Sequence, residues 1–244
     1  MSGGLRFELD GDDGTAPMNH TLVDSDADAD GPATAPASAR RRRANKEQFI
    51  NRRDEIVDLA ASLFAKNGYA ATGIREIGEA ADLARGALYY YIESKESLLN
   101  EIHNRVLDPL LRDTKEILGS EASTKDKIRM ISEVLLRQVI ERQDHVWVFL
   151  HEYPSLTGER RETFRRKRAE FEKALMMLLS AGIADGEFQI SDLRLTMMAF
   201  LGMHNYTYQW IGRTPAVDTV ALSHLYCDIF FRGIEVREPA PDQI

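Results

Sequence analysis

From Lys46 onward the apolar positions recur at three- and four-residue spacing, the period of an amphipathic helix, and no useful stretch alternates as a strand does. Ile56, Leu59, Ala60, Leu63 and Phe64 mark one buried face, and Asn67-Gly68 ends that helix as a left-handed cap would. A short helix is predicted over 73–81 with Ile74 and Ile77 inward, and another over 84–92 with Leu88 and Ile92 inward. Ser94 opens a long helix with Leu98, Leu99, Ile102 and Val106 on its stripe; Pro109 lies within it and predicts a kink. Five more helical segments follow, over 124–142, 145–156, 159–184, 192–212 and 216–233, broken by Gly and Pro. The pattern predicts an all-α chain, three helices at the N-terminal end and then a larger helical bundle.

Residues 1–39 stand outside this pattern. They are Asp, Ala, Gly, Pro and Thr with almost no large apolar side chains, too little to offset the entropy of ordering. The domain plan is therefore an acidic disordered tail ending in a basic arm (1–43), a small helical domain (44–95), a helical bundle (96–235) and a flexible C-terminus (236–244). The net charge of −8 over 244 residues hides an uneven distribution. Residues 1–39 carry −7, residues 40–95 carry +3, and the remainder −4. The single cysteine, Cys227, excludes an internal disulfide and a cysteine-based zinc cluster. No run of about 18 apolar residues predicts a membrane span, and the Asp-rich start does not read as an export leader. A cytoplasmic location without membrane contact is expected.

The candidate chemistry lies in residues 53–99. A helix, a short helix, a tight turn and a second short helix spell helix-turn-helix. The second short helix is too polar and aromatic for a core element: Arg85, Gly86, Tyr89 and Tyr90 fall on its outer face. Gly86 and Ala87 permit close approach to DNA, and Arg and Tyr supply base-edge and phosphate contacts. Phe64 to Tyr69 reads Phe-x-x-x-Gly-Tyr, Thr72 to Ile77 reads Thr-x-x-x-x-Ile, Gly86 to Tyr89 reads Gly-x-Leu-Tyr, and Ser94 to Leu98 reads Ser-Lys-Glu-x-Leu. In this order and spacing the stretch resembles the DNA-binding domain of the TetR family of bacterial repressors. Three departures are local: Asp82 stands in the turn where Gly is common, Ala84 where Ser or Thr caps the reader helix, and Gly73 where Thr or Ser starts the preceding one. The resemblance implies that Thr72, Tyr90 and Lys95 contact phosphate and that Arg85 and Tyr89 reach base edges. Tyr89 also reads as a packing residue, and Lys95 as a solvated charge. The Arg40–Arg43 run, with Arg42 and Arg43 nearest the domain, has two readings: a minor-groove arm, or loose contacts with phosphates or the acidic tail.

The resemblance further implies that the C-terminal helices bind a small molecule and pair two subunits. Leu201, Thr207, Ala221, Leu225, Ile229 and Phe230 are the candidates for a four-helix dimer interface. Trp147, Phe149, Leu150, Phe171, Met176, Met197, Phe200, Met203, His204 and Tyr208 are candidates for the lining of an apolar pocket. Each also reads as ordinary core. The segment Gly182-Ile-Ala-Asp-Gly-Glu-Phe188, with Trp210 later, resembles the sensor domains of acyl-CoA-responsive TetR repressors. The basic cluster from Arg160 to Arg168 reads either as a salt-bridged solvated face, since acids interleave, or as a mouth for coenzyme A phosphates.

No nucleophile–base pair, metal cluster or phosphate-cradling Gly loop stands out, and the six histidines are scattered, so no enzyme, cofactor or metal is expected. The expectation is a homodimeric repressor on a palindromic operator, released by a small apolar effector such as an acyl-CoA thioester. The alternatives are a sensor of free lipophilic compounds, or a ligand-independent architectural DNA binder.

Overall fold

The computed structural model describes residues 37–213 and 217–236; the expected tail before residue 37 and the expected flexible end beyond 236 lie outside the described residues. The chain divides into two compact units, 1–42 and 43–244. Of the first, only residues 37–42 are described, and they are helical.

Nine α-helices are present among the described residues: α1 (Ala37–Asn67), α2 (Ile74–Ala80), α3 (Arg85–Tyr91), α4 (Lys95–Leu118), α5 (Thr124–Glu141), α6 (Gln143–His151), α7 (Gly158–Ala184), α8 (Leu193–Tyr206) and α9 (Thr219–Ile234). The all-α expectation holds. Two expected helices are shorter than their periodicity implied. The 145–156 segment ends its α-helix at His151 and finishes as a 3-10 turn over Tyr153–Ser155, because Pro154 has no amide to continue the ladder. The 192–212 segment unwinds at Thr207 into two 3-10 turns. Another begins earlier than expected: the Arg40–Arg43 run is helical rather than a flexible arm. Arginine is a good helix former, and Arg43 Nε bonds Glu47 Oε1 at 3.0 Å one turn on.

Caps set the joints. Gly68 takes φ +85° after α1, a left-handed value that a side chain resists. Asp82 occupies the α2–α3 turn at φ 51°, a region Asp tolerates better than most. Gly73 and Ala84 precede α2 and α3 with no side-chain cap bond. Ser94 caps α4 firmly: its hydroxyl accepts from the Ser97 amide, and the Ser97 hydroxyl bonds back to Ser94.

One core holds the first three helices, with Ile56, Phe64, Ile77, Leu88 and Leu98 at its centre. It continues into the bundle through Ile102, Leu107, Val148 and Phe164. A second core joins α4, α5, α7, α8 and α9 around Ile131, Leu175, Phe200 and Phe231. The Gly182–Phe188 segment is a packing joint between α7 and α9. A Cβ at Gly182 would meet the Phe188 ring at 2.2 Å, and Phe188 pairs in an isolated bridge with Glu235, tying the end of α7 to the end of α9.

Candidate functional site

The outward face of α3 carries Arg85, Gly86, Ala87, Tyr89 and Tyr90, all exposed, while Leu88 is fully buried. The Arg85 guanidinium lies 5.9 Å over the Tyr89 ring. Tyr90 is 70% exposed yet braced edge-on by Phe49 of α1, at 5.3 Å between centroids. Phe49 also stacks on Tyr91 at 5.2 Å. Alpha-helix side chains three and four apart share a face, so one short helix both anchors itself and presents a polar, aromatic surface.

Two residues expected at phosphate are turned elsewhere. Thr72 is 1% exposed, and its hydroxyl donates to the Gly68 carbonyl at 2.9 Å. A side chain spent on closing the α1–α2 turn has no free face for DNA. Lys95 donates to the Tyr69 and Thr72 carbonyls at 2.7 and 2.9 Å and sits 4.1 Å over the Tyr69 ring. Partial burial lowers its pKa. Two of its three donors pin the turn, which leaves one for any other partner. Arg42 and Arg43 are exposed on α1.

In the bundle the candidate pocket residues do not line one pocket. Phe149, Leu150 and Phe171 line a small cavity of about 40 Å³, together with Leu107, Leu110, Leu135 and Leu201. Arg168, Glu172 and Asn205 also line it, with Arg168 Nε bonded to Glu172 Oε1 at 2.9 Å. Trp147 and Tyr208 gather instead around His151: the Trp147 and His151 rings stack at 4.5 Å, and the Tyr208 hydroxyl lies 3.1 Å from His151 Nε2. Met197, Phe200 and His204 belong to the core. Burial pushes His204 down to about 4, so its ring is uncharged; Nδ1 donates to the Phe200 carbonyl and Nε2 accepts from the Ser132 hydroxyl, each at 2.7 Å. Met176 packs half-buried on the second core, and Met203 is half-buried in α8. A larger concavity, about 580 Å³, is polar and open, lined by Asp54, Asp58, Arg105 and His145 among others. That lining does not suit an apolar guest.

The expected dimer stripe also divides. Leu201 lines the cavity, Thr207 is fully buried and bonded to the Tyr226 hydroxyl at 3.0 Å, and Phe230 packs on Phe200 at 5.0 Å. All three are buried within the protomer. Ala221, Leu225 and Ile229 are exposed in an i, i+4, i+8 row on α9. Exposed apolar side chains on α8 were missed by the sequence reading: Leu195 is 67% exposed, Tyr206 66% and Met198 44%. The 195, 198, 202, 206 spacing was the available signal, masked because α8 is apolar on most sides.

The basic run of α7 is largely paired. Arg160 meets Glu93 and Glu96, Arg165 meets Glu162, Lys167 meets Asp108, and Arg168 meets Glu172. Another residue missed by sequence reasoning is Glu152, whose carboxylate accepts from the Tyr69 amide.

Residues 56–102 match the family model described as bacterial regulatory proteins, tetR family, and residues 121–234 match the tetracyclin repressor-like C-terminal domain. The chain is also 32% identical over 180 residues to the transcriptional repressor KstR2 of Rhodococcus jostii, covering 71% of this chain and 87% of that protein. The chain belongs to the TetR family. The fold agrees with the structure of the ketosteroid transcriptional regulator KstR2 of Mycobacterium tuberculosis, at a TM-score of 0.71 and 23% identity over 76% of this chain and 96% of that one. It agrees as well with AibR, solved in complex with isovaleryl coenzyme A and operator DNA, at a TM-score of 0.66 and 24% identity, covering 74% and 98%. As a TetR-family member the protein is a DNA-binding transcriptional regulator of the repressor type, not an enzyme. Among the described residues no helix is long and apolar enough to cross a membrane.

Proposed function

We propose that this TetR-family repressor acts as a homodimer on a palindromic operator and is released by an apolar effector, with a long-chain or polycyclic acyl-CoA thioester as the leading class. The observation that carries this reading is the largely apolar cavity between α4, α5, α6, α7 and α8, whose lining also includes Arg168, Glu172 and Asn205. A cavity of this size holds no more than a water or two, so an effector must push the lining side chains apart. AibR, similar in fold, is solved with isovaleryl coenzyme A, and a fatty acid metabolism regulator of Bacillus subtilis is among the relatives. DNA contact is assigned to Arg85, Gly86, Ala87, Tyr89 and Tyr90, with Arg42 and Arg43 as phosphate contacts. The exposed rows of α8 and α9 supply the dimer surface.

A second reading, an effector without coenzyme A, rests on the pairing along α7: four of its basic side chains already hold carboxylates. Titrating stearoyl-CoA with and without operator decides between them. Linkage requires that the thioester and the operator weaken each other by the same factor. Equal thioester affinity in both conditions removes the allosteric reading, and stearic acid binding as tightly as its thioester moves the assignment to the second one.

A further inference from the structure

His103, on α4, is 1% exposed, and neither of its ring nitrogens has a hydrogen-bond partner. Buried polar groups are nearly always paired, so an orphaned imidazole calls for a cause. The other histidine buried to this degree in the bundle, His204, has both nitrogens satisfied. Burial holds the His103 ring uncharged, pushed down to about 4, so it offers one N–H donor and one acceptor nitrogen. Its surroundings are aromatic: Phe164 lies 5.0 Å away and Phe149 6.0 Å, edge to face.

The position matters as much as the chemistry. Leu107 follows His103 by four residues on the same face of α4, and both Leu107 and Phe149 are walls of the cavity. Phe149 is therefore a partition shared by the cavity and the orphaned ring. It is only half-buried, so a guest that enlarges the cavity has this ring to turn aside. We propose that His103 is the polar anchor of the effector site, hydrogen-bonding an uncharged oxygen, a hydroxyl or a ketone, carried on the buried apolar part of the effector. A carboxylate does not suit the place, because Arg168, the cation in the cavity lining, already holds the Glu172 carboxylate. The inference rests on the reading that this cavity holds the effector.

The test uses the full-length protein with ring-15N-labelled histidine and three fragments: cyclohexanol, cyclohexanone and methylcyclohexane. His103→Phe identifies the His103 signals by their loss, and His103→Leu, which likewise has no donor or acceptor, does so should the phenylalanine variant not fold. The alcohol or the ketone should move the His103 ring-nitrogen signals saturably, while the hydrocarbon does not. A preference of about tenfold for the oxygenated fragments should vanish in the variant. Signals unmoved by both oxygenated fragments, or moved equally by methylcyclohexane, overturn the proposal, as does a preference that survives the substitution. None of the fragments carries coenzyme A, so failure of the thioester reading appears separately, as absent coupling between stearoyl-CoA and operator.

Discussion

Glu152, at the end of α6, accepts a hydrogen bond of 2.9 Å from the backbone amide of Tyr69, 83 positions earlier in the chain. The same helix carries Phe149 and Leu150 into the cavity wall. Tyr69 in turn is held by Lys95, the first residue of α4. One carboxylate thus joins the cavity helix to the turn that sets α2 and α3. Glu152→Ala should speed hydrogen exchange at the Tyr69 amide and cost ~1.5–3 kcal/mol of stability, the range for a hydrogen bond to a charged group. It should also reduce the coupling between effector and operator. Glu152→Gln, which keeps an acceptor oxygen, should restore most of the protection; exchange equal to that of the alanine variant would show that the bond does not hold the turn.

On α3, Arg85→Ala and Tyr89→Ala should each weaken operator binding by about 1–3 kcal/mol while leaving the fold intact. Thermal midpoints and gel-shift titrations separate the two effects.

Thr72→Val and Lys95→Ala should behave differently, because the Thr72 hydroxyl and two of the three Lys95 donors bond the turn. They should lower the thermal midpoint, and Lys95→Ala should leave the salt slope of DNA binding unchanged. A slope reduced by about one unit would instead place Lys95 on a phosphate.

Acid should unfold the protein early. His103 and His204 have folded pKa values of about 4 against an ordinary 6.5. Between those values the unfolded chain binds more protons than the folded one, so stability rises with pH there and is lost as pH falls from about 6.5 towards 4. Each histidine accounts for up to ~3 kcal/mol of that loss. Urea midpoints measured across this window should fall steadily on acidification, and His103→Phe should make the fall shallower.

Leu225→Glu combined with Ile229→Glu should yield a folded monomer in sedimentation, because both side chains are 55% exposed in one protomer and carboxylates facing each other across a two-fold axis repel. An unchanged dimer would move the interface away from α9.

The sequence by itself determined the helical class, the reader helix and most helix limits. These depend on neighbours within one or two turns: the Gly68 and Asp82 turns, the Ser94 cap and the inward Leu88 are local features of backbone and periodicity. Only the tertiary structure decided how the apolar side chains of α8 and α9 are shared. Helices that are apolar on most sides give no phase, so Leu201, Thr207 and Phe230 turned inward while Leu195 and Tyr206 stayed outside. The same holds for Thr72 and Lys95. Their residue types fit phosphate, but whether a hydroxyl or an ammonium faces solvent or a carbonyl depends on where the α1–α2 turn folds back against the start of α4. The partnerless ring of His103 and the Glu152–Tyr69 bond are likewise matters of three-dimensional packing, because each is defined by groups brought together from distant parts of the chain.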